Sequence, residues 1–119
     1  MKLYTALRFK ERPDLHMTLT YFGEVSEDVQ AAIVDRTDEK VRITMARAFP
    51  TTLDREAHFG AKHDIRVLMP GQGVPEWVKA FVRRQWAPHI TCTDARLDLT
   101  ATAVALMSKQ TEIKRWELP

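Results

Sequence analysis

His16-Met17-Thr18-Leu19-Thr20 (HMTLT) alternates polar and apolar residues, the period-two signature of a half-buried strand. Residues two apart on a strand share a face, so His16, Thr18 and Thr20 are expected on one side and Met17 and Leu19 on the other. The pattern returns as HITCT at 89–93. There His89 and Thr91 share a face, while Ile90 and Cys92 occupy the other. A chain of 119 residues thus offers two matched pairs of imidazole and hydroxyl, each anchored by apolar neighbours.

Working outward from the first motif, Leu3, Thr5, Leu7 and Phe9 alternate against Tyr4, Ala6 and Arg8, which predicts a strand over 2–9. Pro13-Asp14 make a turn, the first motif strand runs from about 15 to 22, and Gly23 ends it. Ser26 is a good N-cap, Glu27 and Asp28 complement a helix N-terminus, and Val29, Ala32 and Ile33 have helical spacing, so a helix is expected over 26–36. VRITMARAF (41–49) alternates Val41, Ile43 and Met45 on one face with Phe49 continuing it, and predicts a strand. Strand character returns at 57–60 and 64–69. PGQGVP (70–75) is a turn into a second helix with Pro75 near its first position and an apolar stripe of Trp77, Val78, Phe81 and Val82. Ala87-Pro88 breaks that helix, and the second motif follows as a strand. Two further strands are expected near 101–109 and 111–117. The order β-β-α-β-β-β-α-β-β-β is that of one α+β domain over 1–119. Two similar lobes, each with one motif strand, explain the recurrence, with the motifs meeting in a central cleft about a pseudo-twofold axis.

Composition narrows the class. Apolar residues make up 45% of the chain, enough for a core. No apolar run is long enough to span a bilayer, and MKLYTALRFKERPD lacks the long apolar segment of a signal peptide. The single cysteine, Cys92, excludes an internal disulfide and a zinc-finger framework. A cytoplasmic monomer with no membrane partner is the expectation. The formal net charge of +2 is too small for nucleic acid held by bulk electrostatics. Local groups matter more: Arg8, Lys10 and Arg12 precede the first motif, and Arg83 and Arg84 precede the second. The plainer reading of these is a solvated surface.

Two imidazoles across a cleft suit a reaction that needs a base and an acid in one step, because histidine titrates near neutrality. The hydroxyls of Thr18 and Thr91 can donate to the non-bridging oxygens of a phosphate. Phosphodiester cleavage fits the set: one imidazole takes a proton from the attacking water or hydroxyl, the other protonates the leaving oxygen, and the threonines hold the phosphate in line. That scheme requires no metal and no cofactor. Threonine favours strands, which makes an accidental match commoner, but recurrence of the whole pattern still favours a function.

LHMTLTYFGEV (15–25) and APHITCTDAR (87–96) resemble the paired signatures of the 2H phosphoesterase superfamily, which includes RNA 2′,3′-cyclic phosphodiesterases, also called 2′-5′ RNA ligase-like proteins. MKLYTALRF resembles that family's first strand, and AVALMSKQ (103–110) its late strand ending in a serine, here Ser108. The resemblance covers nearly the whole chain. It implies antiparallel-sheet lobes with helical cover around a cleft, and catalysis by His16, Thr18, His89 and Thr91. Its first implied activity is hydrolysis of a 2′,3′-cyclic phosphate on a nucleotide or RNA, with His89 as base and His16 as acid. The alternatives are cleavage of 2′-5′-linked or cyclic oligonucleotide messengers, and a non-catalytic RNA-binding module. The chain is compact for this family, and only Arg83 to Ala87 join the second helix to the second motif.

Other residues are weighed against blander roles. Alternation turns Cys92 away from His89, so a buried apolar role outweighs a nucleophile. His58 and His63 lie in an expected hairpin without ligand partners and read as surface residues rather than a metal site. Tyr4, Phe22 and Trp86 are able to stack a base. Phe22 has the parity of His16 if no bulge intervenes and is the first choice among them, although core or rim packing is the commoner role for each. Arg8 and Arg84 are candidates for phosphate contacts against exposed salt bridges, and Ser108 for the cleft border against an ordinary strand hydroxyl. Trp77 and Phe81 read as core.

Overall fold

The computed structural model describes all 119 residues. In chain order the elements are β1 (Lys2–Phe9), β2 (His16–Glu24), α1 (Glu27–Ile43), β3 (Phe49–Phe59), β4 (Ile65–Pro70), a 3₁₀ helix (Glu76–Phe81), β5 (Ile90–Thr91), β6 (Leu97–Ser108) and β7 (Thr111–Glu117). All strand pairs are antiparallel, and they join in one seven-stranded sheet ordered β2-β1-β6-β3-β4-β5, with β7 paired to β6.

That order is symmetric about the β6–β3 pair. On one side β6, β1 and β2 follow each other outward; on the other, β3, β4 and β5 do. These are the two lobes, and each ends in a strand that carries one motif. Long β6 joins them: Ala101 pairs with Phe9 of β1 and with Phe49 of β3, so the two lie on its opposite edges. The sheet curls until β2 and β5, at opposite ends of the order, come into contact.

Alternation explains the packing. Leu3, Leu7 and Phe9 of β1, Met17 and Leu19 of β2, and Leu99, Ala101, Val104 and Leu106 of β6 are buried in one core. Ile33 of α1 and Val78 and Phe81 of the 3₁₀ helix bury against the same cluster, so both helices cover one face of the sheet. Trp77 stacks edge-on between Phe49 and Phe81, with ring centroids 5.9 and 5.7 Å away. The other face carries a smaller buried patch of Ala6, Ala105 and Met107 beside Tyr4.

The chain departs from the sequence expectation between 36 and 49. The helix does not stop near 36 but runs to Ile43, capped at its start by Ser26 Oγ accepting from Val29 N–H at 3.3 Å. Ile33 and Thr37, four apart, are its buried residues, with Val34 and Val41 partly buried beside them. The expected strand over 41–49 is absent: Ile43 and Met45, which its alternation placed on one face with Val41 and Phe49, are 65% and 69% exposed. Thr44 ends the helix, its hydroxyl donating to the Lys40 carbonyl at 2.6 Å, and Met45 takes a left-handed conformation (φ 54°). That position ordinarily shows itself by a glycine, and none is present. The strand character placed at 57–60 belongs to β3, which begins at Phe49. The second helix is a 3₁₀ segment, and the second motif strand is two residues long.

Candidate active site

His16 opens β2 and lies opposite Arg8 of β1; Thr18 lies opposite Ala6. Both side chains therefore leave the face that Tyr4, Ala6 and Arg8 occupy. From the other lobe, Ile90 and Thr91 pair with Leu68 and Val67 of β4. Ile90 is buried, Cys92 packs partly buried against the core, and Thr91 is exposed, as alternation requires. The curl of the sheet brings the pairs together: His16, Thr18, His89 and Thr91 line one cleft of about 240 Å³ with Asp14, Leu15, Ile90 and Gln110. The Trp86 indole N–H donates to the Thr18 carbonyl at 3.0 Å and ties the approach to the second motif directly onto the first.

The imidazoles are held differently. His89 Nδ1 lies 2.8 Å from the Ala87 carbonyl, which only accepts. The ring proton therefore sits on Nδ1, and in the neutral ring Nε2 presents a lone pair. Phe59, at the end of β3, packs edge-on against this ring with centroids 4.6 Å apart. His16 has no such carbonyl. Its ring lies tilted on Tyr4, with centroids 5.2 Å apart. Burial, then the Arg8 guanidinium, then His89 hold the His16 pKa below the usual histidine value. The neutral form of His16 is thus favoured at pH 7.

Arg8 reaches this region but is engaged. Its Nε faces Glu112 Oε1 at 3.0 Å as an ion pair, a second nitrogen donates to the Pro13 carbonyl at 2.7 Å, and its side chain is 12% exposed. Its effect on His16 is electrostatic. Arg84 is exposed in the turn after the 3₁₀ helix and does not line the cleft. Ser108 closes β6 opposite Thr111, and Met107 rather than Ser108 faces Arg8, with the sulfur 4.0 Å from the guanidinium.

Phe22 and Thr20 do not share the cleft. Thr5 pairs with Thr20 but Ala6 pairs with Thr18, so Leu19 is an extra residue in β2; Phe22 is another, between the Tyr4–Tyr21 and Leu3–Gly23 pairs. Each bulge reverses the alternation. Thr20 turns to the helical side, where its hydroxyl donates to the Phe81 carbonyl at 2.5 Å. Phe22 follows it and lines a larger cavity of about 800 Å³ against α1, which contains neither His-x-Thr pair. Tyr21 takes the cleft-side position instead, opposite Tyr4.

Sequence reading missed three contributors. Gln110 enters the cleft from the β6–β7 turn, which no strand periodicity marks. Phe59 reaches His89 from 30 positions earlier in the chain. Arg66 donates to the carbonyls of Cys92 (3.1 Å) and Asp94 (2.7 Å) and fixes the far end of the second motif. His58 and His63 are exposed in the β3–β4 hairpin, and no group of three or more His, Cys, Asp or Glu side chains is arranged to hold a metal ion. No helix is long and apolar enough to cross a membrane.

Solved structures share this curled antiparallel sheet. The crystal structure of a phosphoesterase matches with a TM-score of 0.63 at 18% identity, over 98% of both chains. E. coli LigT in its apo form gives a TM-score of 0.66 at 18% identity, over 98% of this chain and 96% of LigT. The protein TT0787 of Thermus thermophilus gives 0.64 at 14% identity, over 99% of this chain and 98% of that one. LigT has also been solved with phosphate, 3′-AMP, ATP and NADP+. No protein-family profile and no curated protein sequence matches this chain. The chain has the LigT fold over nearly its full length, as the motif resemblance implied.

Proposed function

We propose that this chain is a 2H-type phosphodiesterase that needs no metal and hydrolyses a nucleotide or RNA phosphodiester, with a 2′,3′-cyclic phosphate as first substrate. The observation that carries this reading is the convergence of both His-x-Thr pairs, from opposite ends of one sheet, into a single small polar cleft. LigT, which has this fold, has been solved with phosphate and with 3′-AMP, and nucleotide binding is carried to this chain on that likeness.

In this reaction His89 is the base. The Ala87 carbonyl holds its proton on Nδ1, which leaves Nε2 to take a proton from water. The water oxygen bonds to phosphorus as the bond from phosphorus to one ribose oxygen breaks. His16 is the acid. Burial and the Arg8 charge disfavour its protonated form, so the phosphate anion supplies the compensation that lets it carry a proton, and it passes that proton to the leaving oxygen. Thr18 and Thr91 donate to the non-bridging oxygens where charge grows. The product is a phosphomonoester with a free ribose hydroxyl, and solvent returns each ring to its starting protonation state. Arg8 does not line the cleft, and its part in this reaction is through its charge.

The test is turnover, in excess EDTA, of 2′,3′-cyclic nucleotides, RNA ending in a cyclic phosphate, 2′-5′ oligoadenylate and cyclic oligonucleotides. EDTA-resistant hydrolysis that is lost in His16→Ala supports the reading, and the preferred substrate decides between a cyclic phosphate and an oligonucleotide messenger. RNA affinity with no turnover of any of them overturns it in favour of a binding module.

A further inference from the structure

Gln110 and Tyr4 form a unit that none of the chemistry above uses. Apart from the residues of the two motifs, the cleft is lined only by Asp14, Leu15 and Gln110. Asp14 is spoken for by Arg12, whose nitrogens lie 3.0 and 2.9 Å from its two oxygens. Leu15 packs against the core. Gln110 is exposed and lines the cleft, and its side chain makes no hydrogen bond to the protein, which leaves both donors and its acceptor free there.

The turn that presents Gln110 is held in an unfavourable shape. Ser108 and Thr111 close the β6–β7 hairpin, leaving Lys109 and Gln110 as its two loop residues. Lys109 has φ 54°, the left-handed region that glycine or asparagine adopts at far lower cost. Strain of this kind persists where surrounding contacts over-determine it. The contact here is Tyr4, whose hydroxyl donates to the Lys109 carbonyl from the far end of the sequence. Burial raises the Tyr4 pKa, with Arg8 opposing, so the phenol keeps the proton it donates. The same ring lies against His16. One side chain therefore packs its ring at a tilt on the imidazole of one motif and bonds the Gln110 turn with its hydroxyl.

Resting on the reading of the cleft as a phosphodiesterase site, we infer that Gln110 is a specificity-determining substrate contact and that Tyr4 is its positioning residue. A neutral amide beside two imidazoles is suited to an uncharged hydrogen-bonding part of the substrate, a nucleobase edge or ribose hydroxyl, rather than to phosphate. Gln110 thus acts on which nucleotide is held, and the imidazoles on how it is cut.

The experiment is a double-mutant cycle with Gln110→Ala and Tyr4→Phe, read as kcat, KM and pH profile on a 2′,3′-cyclic nucleotide set that varies the base. Phenylalanine keeps the ring against His16 and removes only the bond to the turn. Each variant is expected to raise KM about five- to tenfold, equivalent to about one lost hydrogen bond, to narrow the spread of KM between bases, and to leave kcat and the pH profile within about twofold. The double variant should be no worse than the worse single one. An unchanged KM in Gln110→Ala, additive losses, or a shifted pH profile in Tyr4→Phe overturns the inference. Titration of the chain with 3′-AMP, followed by the Gln110 side-chain amide resonance in wild type and Tyr4→Phe, separates this from the fate of the parent reading. If no substrate turns over, a shift of that resonance present in wild type and lost in Tyr4→Phe upholds the contact while the phosphodiesterase reading falls. No shift in wild type sinks the contact on its own.

Discussion

The two motif strands have nearly the same sequence and quite different support. HMTLT lies in a nine-residue strand bonded along β1, and its imidazole is shaped by burial and neighbouring charge. HITCT contributes two residues to the sheet, and its imidazole lies just outside them. It is held by discrete clamps: the Ala87 carbonyl on His89, Phe59 against the ring, and Arg66 on the carbonyls of Cys92 and Asp94. A ladder distributes its support over many bonds; clamps concentrate it in a few. The first half-site is therefore the robust one, tuned through electrostatics, and the second is the one that single substitutions dislodge.

The comparison breaks most sharply if the imidazoles are unequal in chemistry. Under the proposed reaction His16→Ala and His89→Ala each lower kcat about 10²- to 10⁴-fold, with thermal unfolding little changed. A folded variant with wild-type turnover would falsify the acid–base pairing. Next in size are Thr18→Val and Thr91→Val, which keep the branched shape and remove the donor. Each should lower kcat by about 10²-fold if it faces the charge that grows in the transition state. Losses confined to KM would instead make them ground-state contacts.

Arg66→Ala tests the clamps. Losing charge-assisted bonds to two carbonyls should lower stability by about 2 kcal/mol and increase amide exchange around 89–94, while 16–20 stays protected. Equal loosening of both motifs would show that they share one support.

The smallest effect is the most specific. Arg8→Gln removes the second-largest cause that holds the His16 pKa down, while burial, the largest, remains. The His16 ring should titrate at higher pH by NMR, though still below its unperturbed value, and the alkaline limb of kcat/KM should move the same way. Stability has a matching sign. Because the folded pKa lies below the unfolded 6.5, the unfolded chain binds the proton first on acidification. The His16 contribution is therefore complete above about pH 6.5 and declines as the pH falls through the folded value; His16→Ala should flatten that part of the curve.

Much of this molecule was legible from its sequence because strand faces follow a local rule. Period-two alternation marked β1, buried Met17, Leu19 and Ile90, and paired His16 with Thr18 and His89 with Thr91. The recurrence of the motif indicated two halves and one cleft. Tertiary structure decided where alternation stops counting. Bulges at Leu19 and Phe22 arise from how β2 registers on β1, a partner strand distant in the chain, and they sent Thr20 and Phe22 to the helical side. α1 ends at Ile43 with Thr44 as its cap, and Met45 just beyond takes a conformation usually marked by glycine, so 41–49 read as a strand until helix packing claimed Val41 and left Ile43 and Met45 in solvent. Gln110, Phe59 and Arg66 reach the site only because β6–β7, β3 and β4 are folded around it. A sequence sets the face of each residue through bonded neighbours, but which faces meet depends on pairings between distant strands, and those are fixed by the packing of the whole sheet.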